Sequence, residues 1–179
     1  MIYLDTNVLV SLLIEDVLSR RAVAWLESQD QPLAFSEWGR AEFNAVAGVR
    51  KRKGELAASV AKIAIAALEN HAENNYIMLP VSDEIAALAA TWLRNPDCSL
   101  QTGDALHLAI ASNGRATAIA TFDERFAKAA ARLRLANMKI LLIPDATPKA
   151  EQKRATYRVT AKKKAAKVGT NLQKKKLSS

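Results

Sequence analysis

Four acids in this 179-residue chain, Asp5, Glu42, Asp104 and Asp123, have settings that could serve one reaction. Asp5 directly follows the apolar run Ile2-Tyr3-Leu4, and Asp123 follows Ala118-Ile119-Ala120 after Thr121 and Phe122. Both belong at strand ends, and taken singly each reads as a helix N-cap, for which Asp is a favoured residue. Glu42 shares a helical stripe with Trp38, Ala41, Ala45 and Val49. A carboxylate on such a stripe is costly unless a donor or cation satisfies it, whereas at the stripe's margin it reaches water or pairs with Arg. Asp104, within Gln101-Thr102-Gly103-Asp104-Ala105-Leu106, stands at a helix start, where the macrodipole favours an ionised acid. If the four converge, their repulsion raises their pKa values and weakens the fold, a penalty that a bound divalent cation removes. Carboxylate oxygens without His or Cys suit Mg²⁺, or alternatively Mn²⁺. An ion of this kind serves phosphodiester hydrolysis by activating water, orienting the phosphate and neutralising the leaving oxygen.

The elements that must position these acids follow from hydrophobic periodicity. Residues 2–4 read as a short buried strand, and Val8, Leu9, Leu12 and Leu13 share the face of the helix after it. Ser19 is the N-cap candidate of a second helix carrying Trp25 and Leu26. Leu33 to Phe35 suggest a strand, and Ser36 caps a long helix that ends at Arg50-Lys51-Arg52-Lys53-Gly54, with cations in the last turn and Gly beyond them. A helix over about 55–70 and a strand over 76–80 come next, then a helix keeping Ile85, Leu88, Ala89, Trp92 and Leu93 in register. The pattern closes with a helix over 103–113, a strand over 118–120, a helix over 124–135 and a strand over 140–143. Strands alternating with helices predict an α/β fold, a central parallel sheet flanked by helices on both faces, with its site at the carboxyl ends of the strands.

The net charge of +8 hides an asymmetry. Residues 149–179 hold eleven Lys or Arg and one acid, a charge of +10, and residues 1–148 hold fifteen bases and seventeen acids, a charge of −2. A slightly acidic domain over 1–148 is therefore expected to carry a basic tail over 149–179. Its clusters Lys162-Lys163-Lys164 and Lys174-Lys175-Lys176 and its few large apolar residues predict disorder in the free chain. Cys98 is the sole cysteine, so no internal disulfide and no multi-cysteine zinc site can form. The first residues lack a basic leader, and no run approaches the roughly 18 apolar residues of a membrane span. The expectation is a cytoplasmic protein.

The ordered set Met-Ile-Tyr-Leu-Asp5-Thr6-Asn7, Ser36 leading to Glu42, Gly103-Asp104-Ala105-Leu106-His107-Leu108-Ala109 and Ala120-Thr121-Phe122-Asp123-Glu124-Arg125-Phe126 resembles the PIN-domain ribonucleases. Within them it is most similar to the VapC-type toxins of toxin–antitoxin pairs. The resemblance covers about residues 1–143. It implies a three-layer α/β/α fold, Mg²⁺-dependent endoribonuclease activity on an RNA substrate, a homodimer, and a cognate antitoxin as partner. Carried over residue by residue, Asp5, Glu42, Asp104 and Asp123 match the family's acidic quartet. Asp5 and Asp104 correspond to the principal metal ligands, and Glu42 and Asp123 to acids that bind through water or hold the attacking water. Thr6 and Thr121 match small hydroxylic positions in support. The basic tail is no part of the PIN pattern.

Other residues admit two readings. Arg50, Lys51, Arg52 and Lys53 suit RNA phosphates, as do Lys162, Lys163 and Lys164, but the first four equally suit a helix C-terminus. His107, one turn after Asp104, reads more readily as structural than as catalytic. Trp25, Trp38 and Trp92 read as core rather than as base-stacking platforms, and Cys98 as a loop residue. Three other functions fit parts of the pattern: a stand-alone PIN nuclease in RNA processing or DNA repair, a non-catalytic nucleic-acid-binding PIN module, and a phosphatase with an aspartyl nucleophile. The phosphatase would need a second Asp where Asn7 stands.

Two alternatives for the tail are that it only solubilises the chain, or that it contacts the antitoxin or a partner subunit. A flexible cation tethered to an acidic site would instead raise the local concentration of RNA without reading bases. Deleting residues 149–179 is therefore expected to weaken RNA binding, most at low salt, and to leave the cleavage position unchanged, as filter binding across a salt series and end-mapping would show.

Overall fold

The computed structural model describes residues 1–95, 99–135 and 137–144. The basic tail and Cys98 lie outside the described residues.

Five short strands, β1 (Ile2–Leu4), β2 (Leu33–Ser36), β3 (Ile77–Leu79), β4 (Ala118–Thr121) and β5 (Lys139–Leu142), form one sheet in the order β3-β2-β1-β4-β5, and every pair is parallel. The strands alternate with α1 (Thr6–Leu13), α2 (Ser19–Leu26), α3 (Glu37–Arg52), α4 (Ala58–Asn74), α5 (Asp83–Leu93), α6 (Thr102–Asn113) and α7 (Glu124–Arg132). Successive strand side chains point to opposite faces, and the core divides accordingly. Tyr3, Ala34 and Ile119 join one apolar cluster with Ile85, Ala89, Leu108 and Phe126, from α5, α6 and α7. Ile2, Leu4, Phe35 and Ala120 join the other with Val8, Leu9, Phe43, Ala64 and Leu68, from α1, α3 and α4. The sheet is thus covered on both faces, as a parallel sheet requires.

β1 is the central strand. The chain runs outward from it through β2 to β3 and then returns to its other side as β4. The carboxyl ends of β1 and β4 therefore flank the point where the strand order reverses, the usual place for a crevice in an open α/β sheet.

Most elements lie within a few residues of their predicted bounds, and the differences have local causes. Ser36 caps α3 as expected, its hydroxyl accepting from the Gly39 N–H at 3.1 Å. Gly54, at φ +74°, ends that segment in the left-handed conformation that favours glycine. Ser19, by contrast, does not cap α2. It is that helix's first residue, and its hydroxyl instead accepts from the Asp16 N–H at 2.8 Å. α4 starts and ends later than predicted, because an alanine-rich run carries little periodic contrast. Thr121 belongs to β4 rather than to the loop after it. The buried face of α3 is Gly39, Phe43 and Ala47, and Val49 is 39% exposed. Glu42 therefore stands at the margin of the buried face, and the apolar stripe drawn through Ala41, Ala45 and Val49 is not the inward one. The three tryptophans pack partly buried against the two clusters.

Phe43 is fully buried beneath the helix that carries Glu42. Phe43→Ala is expected to cost about 3–5 kcal/mol, read as a lower urea midpoint at unchanged m-value.

Candidate active site

At the carboxyl edge of the sheet, a cavity of about 480 Å³ is lined by Asp5, Glu42, Asp104 and Asp123 together with Thr6, Asn7, Asp16, Arg50 and His107. All four acids singled out in the sequence reach this one cavity from four elements. Asp5 is carried at the end of β1, Glu42 on α3, Asp104 in the first turn of α6 and Asp123 at the N-cap of α7.

Asp5 occupies the N-cap position of α1, but its side chain does not cap that helix. Oδ2 instead accepts from Asn7 Nδ2 and from the Thr121 hydroxyl, each at 2.6 Å. Asn7 is fixed in turn, because its Oδ1 accepts from the Phe122 N–H at 3.1 Å. The start of α1 and the end of β4 thus grip one oxygen of Asp5, and the other, Oδ1, lies 3.5 Å from His107 Nε2. Glu42 is held likewise by one oxygen, Oε2, which accepts from the Thr6 hydroxyl at 2.6 Å and from His107 Nε2 at 2.7 Å. Asp123 does cap its helix, its Oδ1 accepting from the N–H groups of Arg125 and Phe126 at 2.7 and 3.0 Å. Asp104 Oδ2 accepts from the Gln101 N–H at 3.4 Å. In every case one carboxylate oxygen is engaged in holding the fold. The capping and ligand readings of these acids are therefore compatible, since a carboxylate has two oxygens.

The electrostatics record the crowding. Burial raises the pKa of Asp5, and the charge of Glu42 adds to the rise against the opposing pull of His107 and Thr121. Burial raises Asp104 too, with Asp5 and Asp123 contributing. Burial would also raise Glu42, but the hydrogen bond and charge of His107 and the Thr6 hydroxyl outweigh it, so its pKa falls. Burial would lower His107, yet the hydrogen bond to Glu42 and the charges of Asp5, Glu42 and Asp104 carry its pKa upward. His107 is thus a hydrogen-bond partner held among the acids of the cavity.

Among the described residues, no three His, Cys, Asp or Glu side chains close into a ready-made metal cage. The donors nonetheless fit a hard divalent cation. They are carboxylates whose mutual repulsion is only partly relieved, and Mg²⁺ characteristically takes one or two carboxylates and keeps several waters.

Of the cations singled out in the sequence, only Arg50 lines the cavity, held 3.7 Å from Asp16. Lys51, Arg52 and Lys53 are exposed at the end of α3 and its C-cap, and Lys162, Lys163 and Lys164 lie outside the described residues. Sequence reasoning missed Asn7 and Asp16 as parts of the site and underrated His107. The available signal for His107 was its position inside the apolar run Ala105 to Ala111, where a histidine needs partners.

The model of the PIN domain family matches residues 2–132. No curated protein matches the chain. Among solved structures, Mycobacterium tuberculosis VapC20, described as a sarcin-ricin loop cleaving toxin, is 18% identical at a TM-score of 0.58, over 72% of this chain and 95% of that one. A chain of Rickettsia felis VapBC2, bound to a DNA fragment from its promoter, is 17% identical at a TM-score of 0.54, over 78% and 97%. A chain of a Klebsiella pneumoniae toxin–antitoxin complex is 22% identical at a TM-score of 0.51, over 77% and 95%. Among the described residues, no helix is long and apolar enough to cross a membrane.

The raised pKa of Asp5 has a definite sign. A carboxyl raised in the fold favours folding while protonated, and that contribution is lost as pH rises from its unfolded value through its folded one. Asn at position 5 retains an acceptor without the charge. In EDTA at pH 7, Asp5→Asn is therefore expected to have a higher Tm than the parent protein. The difference should disappear as the pH falls into the range where Asp5 is protonated, as paired thermal melts would show.

Proposed function

The chain belongs to the PIN-domain family, and from that membership we propose that it is a metal-dependent endoribonuclease acting as the toxin of a toxin–antitoxin pair. The observation that carries the reading is the meeting of Asp5, Glu42, Asp104 and Asp123 in one cavity where the sheet order reverses. Its fold relatives, a sarcin-ricin loop cleaving toxin and chains from toxin–antitoxin complexes, support the toxin assignment.

In this reading Asp5 and Asp104 would hold a divalent cation, Mg²⁺ or Mn²⁺. Such an ion, when bound, lowers the pKa of water and offsets charge on the phosphate and the leaving oxygen. Glu42 and Asp123, on the other walls, orient the attacking water and accept its proton. Thr6 and Thr121 do not meet the substrate. They hold Glu42 and Asp5. Arg50, at the rim, is the side chain suited to a phosphate of the RNA strand, with Asp16 holding it in place. The cognate antitoxin is the expected partner, and a cationic side chain from it would relieve the same repulsion that a metal ion relieves. A homodimer is expected as well.

Asp104→Asn removes one ligand charge from a half-buried side chain without disturbing a core contact. The variant is expected to fold normally and to lose RNA cleavage by at least about a hundredfold. Its expression should not arrest growth where the parent protein does. Parent cleavage should stop in EDTA, return with Mg²⁺ or Mn²⁺, and leave 5′-phosphate and 3′-hydroxyl ends. Cleavage undiminished in EDTA, or cyclic 2′,3′-phosphate ends, would refute the metal mechanism.

A further inference from the structure

His107 is 2% exposed, and both its ring nitrogens are engaged. Nε2 meets Glu42 Oε2 at 2.7 Å. With Glu42 ionised, that carboxylate can only accept, so Nε2 carries the hydrogen. Nδ1 lies 2.8 Å from the Tyr3 hydroxyl, which is 2.6 Å from Ser36 Oγ, and Ser36 Oγ accepts from the Gly39 N–H at 3.1 Å. Gly39 is on α3, the helix that bears Glu42. The contacts thus form a closed circuit from α3 through Ser36, Tyr3 on β1 and His107 on α6, and back to α3 at Glu42. Tyr3, Ser36 and His107 are all buried. The second oxygen of Glu42, Oε1, lies against the start of α6, so close to Gly103 that a Cβ there would stand 3.1 Å from it.

The geometry points to His107 as a positioning residue, which pins Glu42 Oε2 from beneath the cavity and so fixes the direction in which the carboxylate acts. It acts through Glu42, although its ring also lines the cavity, and a donor at the place of Nε2 is what the role requires. The Thr6 hydroxyl shares the same oxygen and Trp38 also bears on Glu42, but the ring is itself fixed at both nitrogens and so holds that oxygen against a rigid support. The inference rests on the nuclease reading for its consequence in metal binding, whereas the restraint on Glu42 can be measured without any metal.

The test uses the full chain with His107→Leu, which removes the donor, and His107→Gln, which restores one. Side-chain NMR couplings of Glu42 in the metal-free protein report its rotamers, and Mn²⁺ titration followed by EPR reports affinity. His107→Leu is expected to average the Glu42 rotamers and to weaken Mn²⁺ about tenfold, and His107→Gln to keep one rotamer and near-parent affinity. In a Glu42→Gln background, the part of the His107→Leu loss that runs through Glu42 should vanish, leaving only what the 3.5 Å contact of Nε2 with Asp5 Oδ1 contributes. If His107→Leu does not fold, His107→Asn, whose amide falls short of Glu42, takes its place. A single Glu42 rotamer in folded His107→Leu or His107→Asn, or additive losses in the double variant, would overturn the inference. Averaged rotamers together with a parent protein that binds no Mn²⁺ would uphold the positioning role and instead refute the metal reading.

Discussion

Asp5 is the most demanding residue in the fold. It is a carboxylate about nine-tenths withdrawn from solvent at the end of the central strand, with other acids close by. An isolated buried charge of this kind costs several kcal/mol, and the surrounding structure is arranged to offset that cost. Thr121 at the end of β4 and Asn7 at the start of α1 both donate to one oxygen, and His107 Nε2 on α6 lies 3.5 Å from the other. Each donor lies on a different element, so the sheet register between β1 and β4 and the approach of α6 are all tied to this one side chain. The pairing of Leu4 with Ala120 places Asp5 beside Thr121. A register slip would remove the donor and face the acid toward the wrong side of the sheet.

The same constraint explains the mixed character of the cavity. Burial, with the charges of neighbouring acids, raises the pKa values of Asp5 and Asp104, and the protein relieves only part of that strain. Glu42 has a full partner in His107, whereas among the described residues Asp104 Oδ2 accepts only a long backbone bond from Gln101. The remaining charge is what a hard cation or a cationic partner side chain would neutralise. Site and stability are in this sense opposed. Asp5 and Asp104, the acids proposed to hold a cation, are the ones whose neutral forms the fold favours, the trade-off expected where strain is kept for function.

Much of this was legible in the residues. The alternation of short apolar runs with helical periodicity is local information, and it suffices for a parallel α/β sheet, for the placement of Asp5 and Asp123 after strands, and for the Ser36 cap. The four acids could also be picked out, since an acid at a strand end, at a helix start or among apolar neighbours is unusual in composition alone. What periodicity could not supply was the rotation of α3. Ala41, Ala45 and Val49 are apolar enough to pass for a buried stripe, yet Gly39, Phe43 and Ala47 pack inward. Glycine and alanine bury well with almost no hydrophobic signal, so the inward face of a small-residue helix is set by what packs against it.

Residues far apart in the chain meet only in the folded protein, and the parts of the site that depend on such meetings were decided there. His107 and Glu42 are separated by 65 residues, and Tyr3 and His107 by 104. Nothing in the local sequence of any of them indicates the other. A buried histidine announces that it needs partners but not which ones, because hydrogen bonds of that kind follow from the distance between α3, β1 and α6. Asn7 and Asp16 became part of the site for the same reason. The sequence by itself determined the types of element and the chemistry available at their ends. The tertiary structure decided which oxygen of each acid holds the fold and which group sits beneath Glu42, because those depend on separations of a few tenths of an ångström between elements that local propensity does not control.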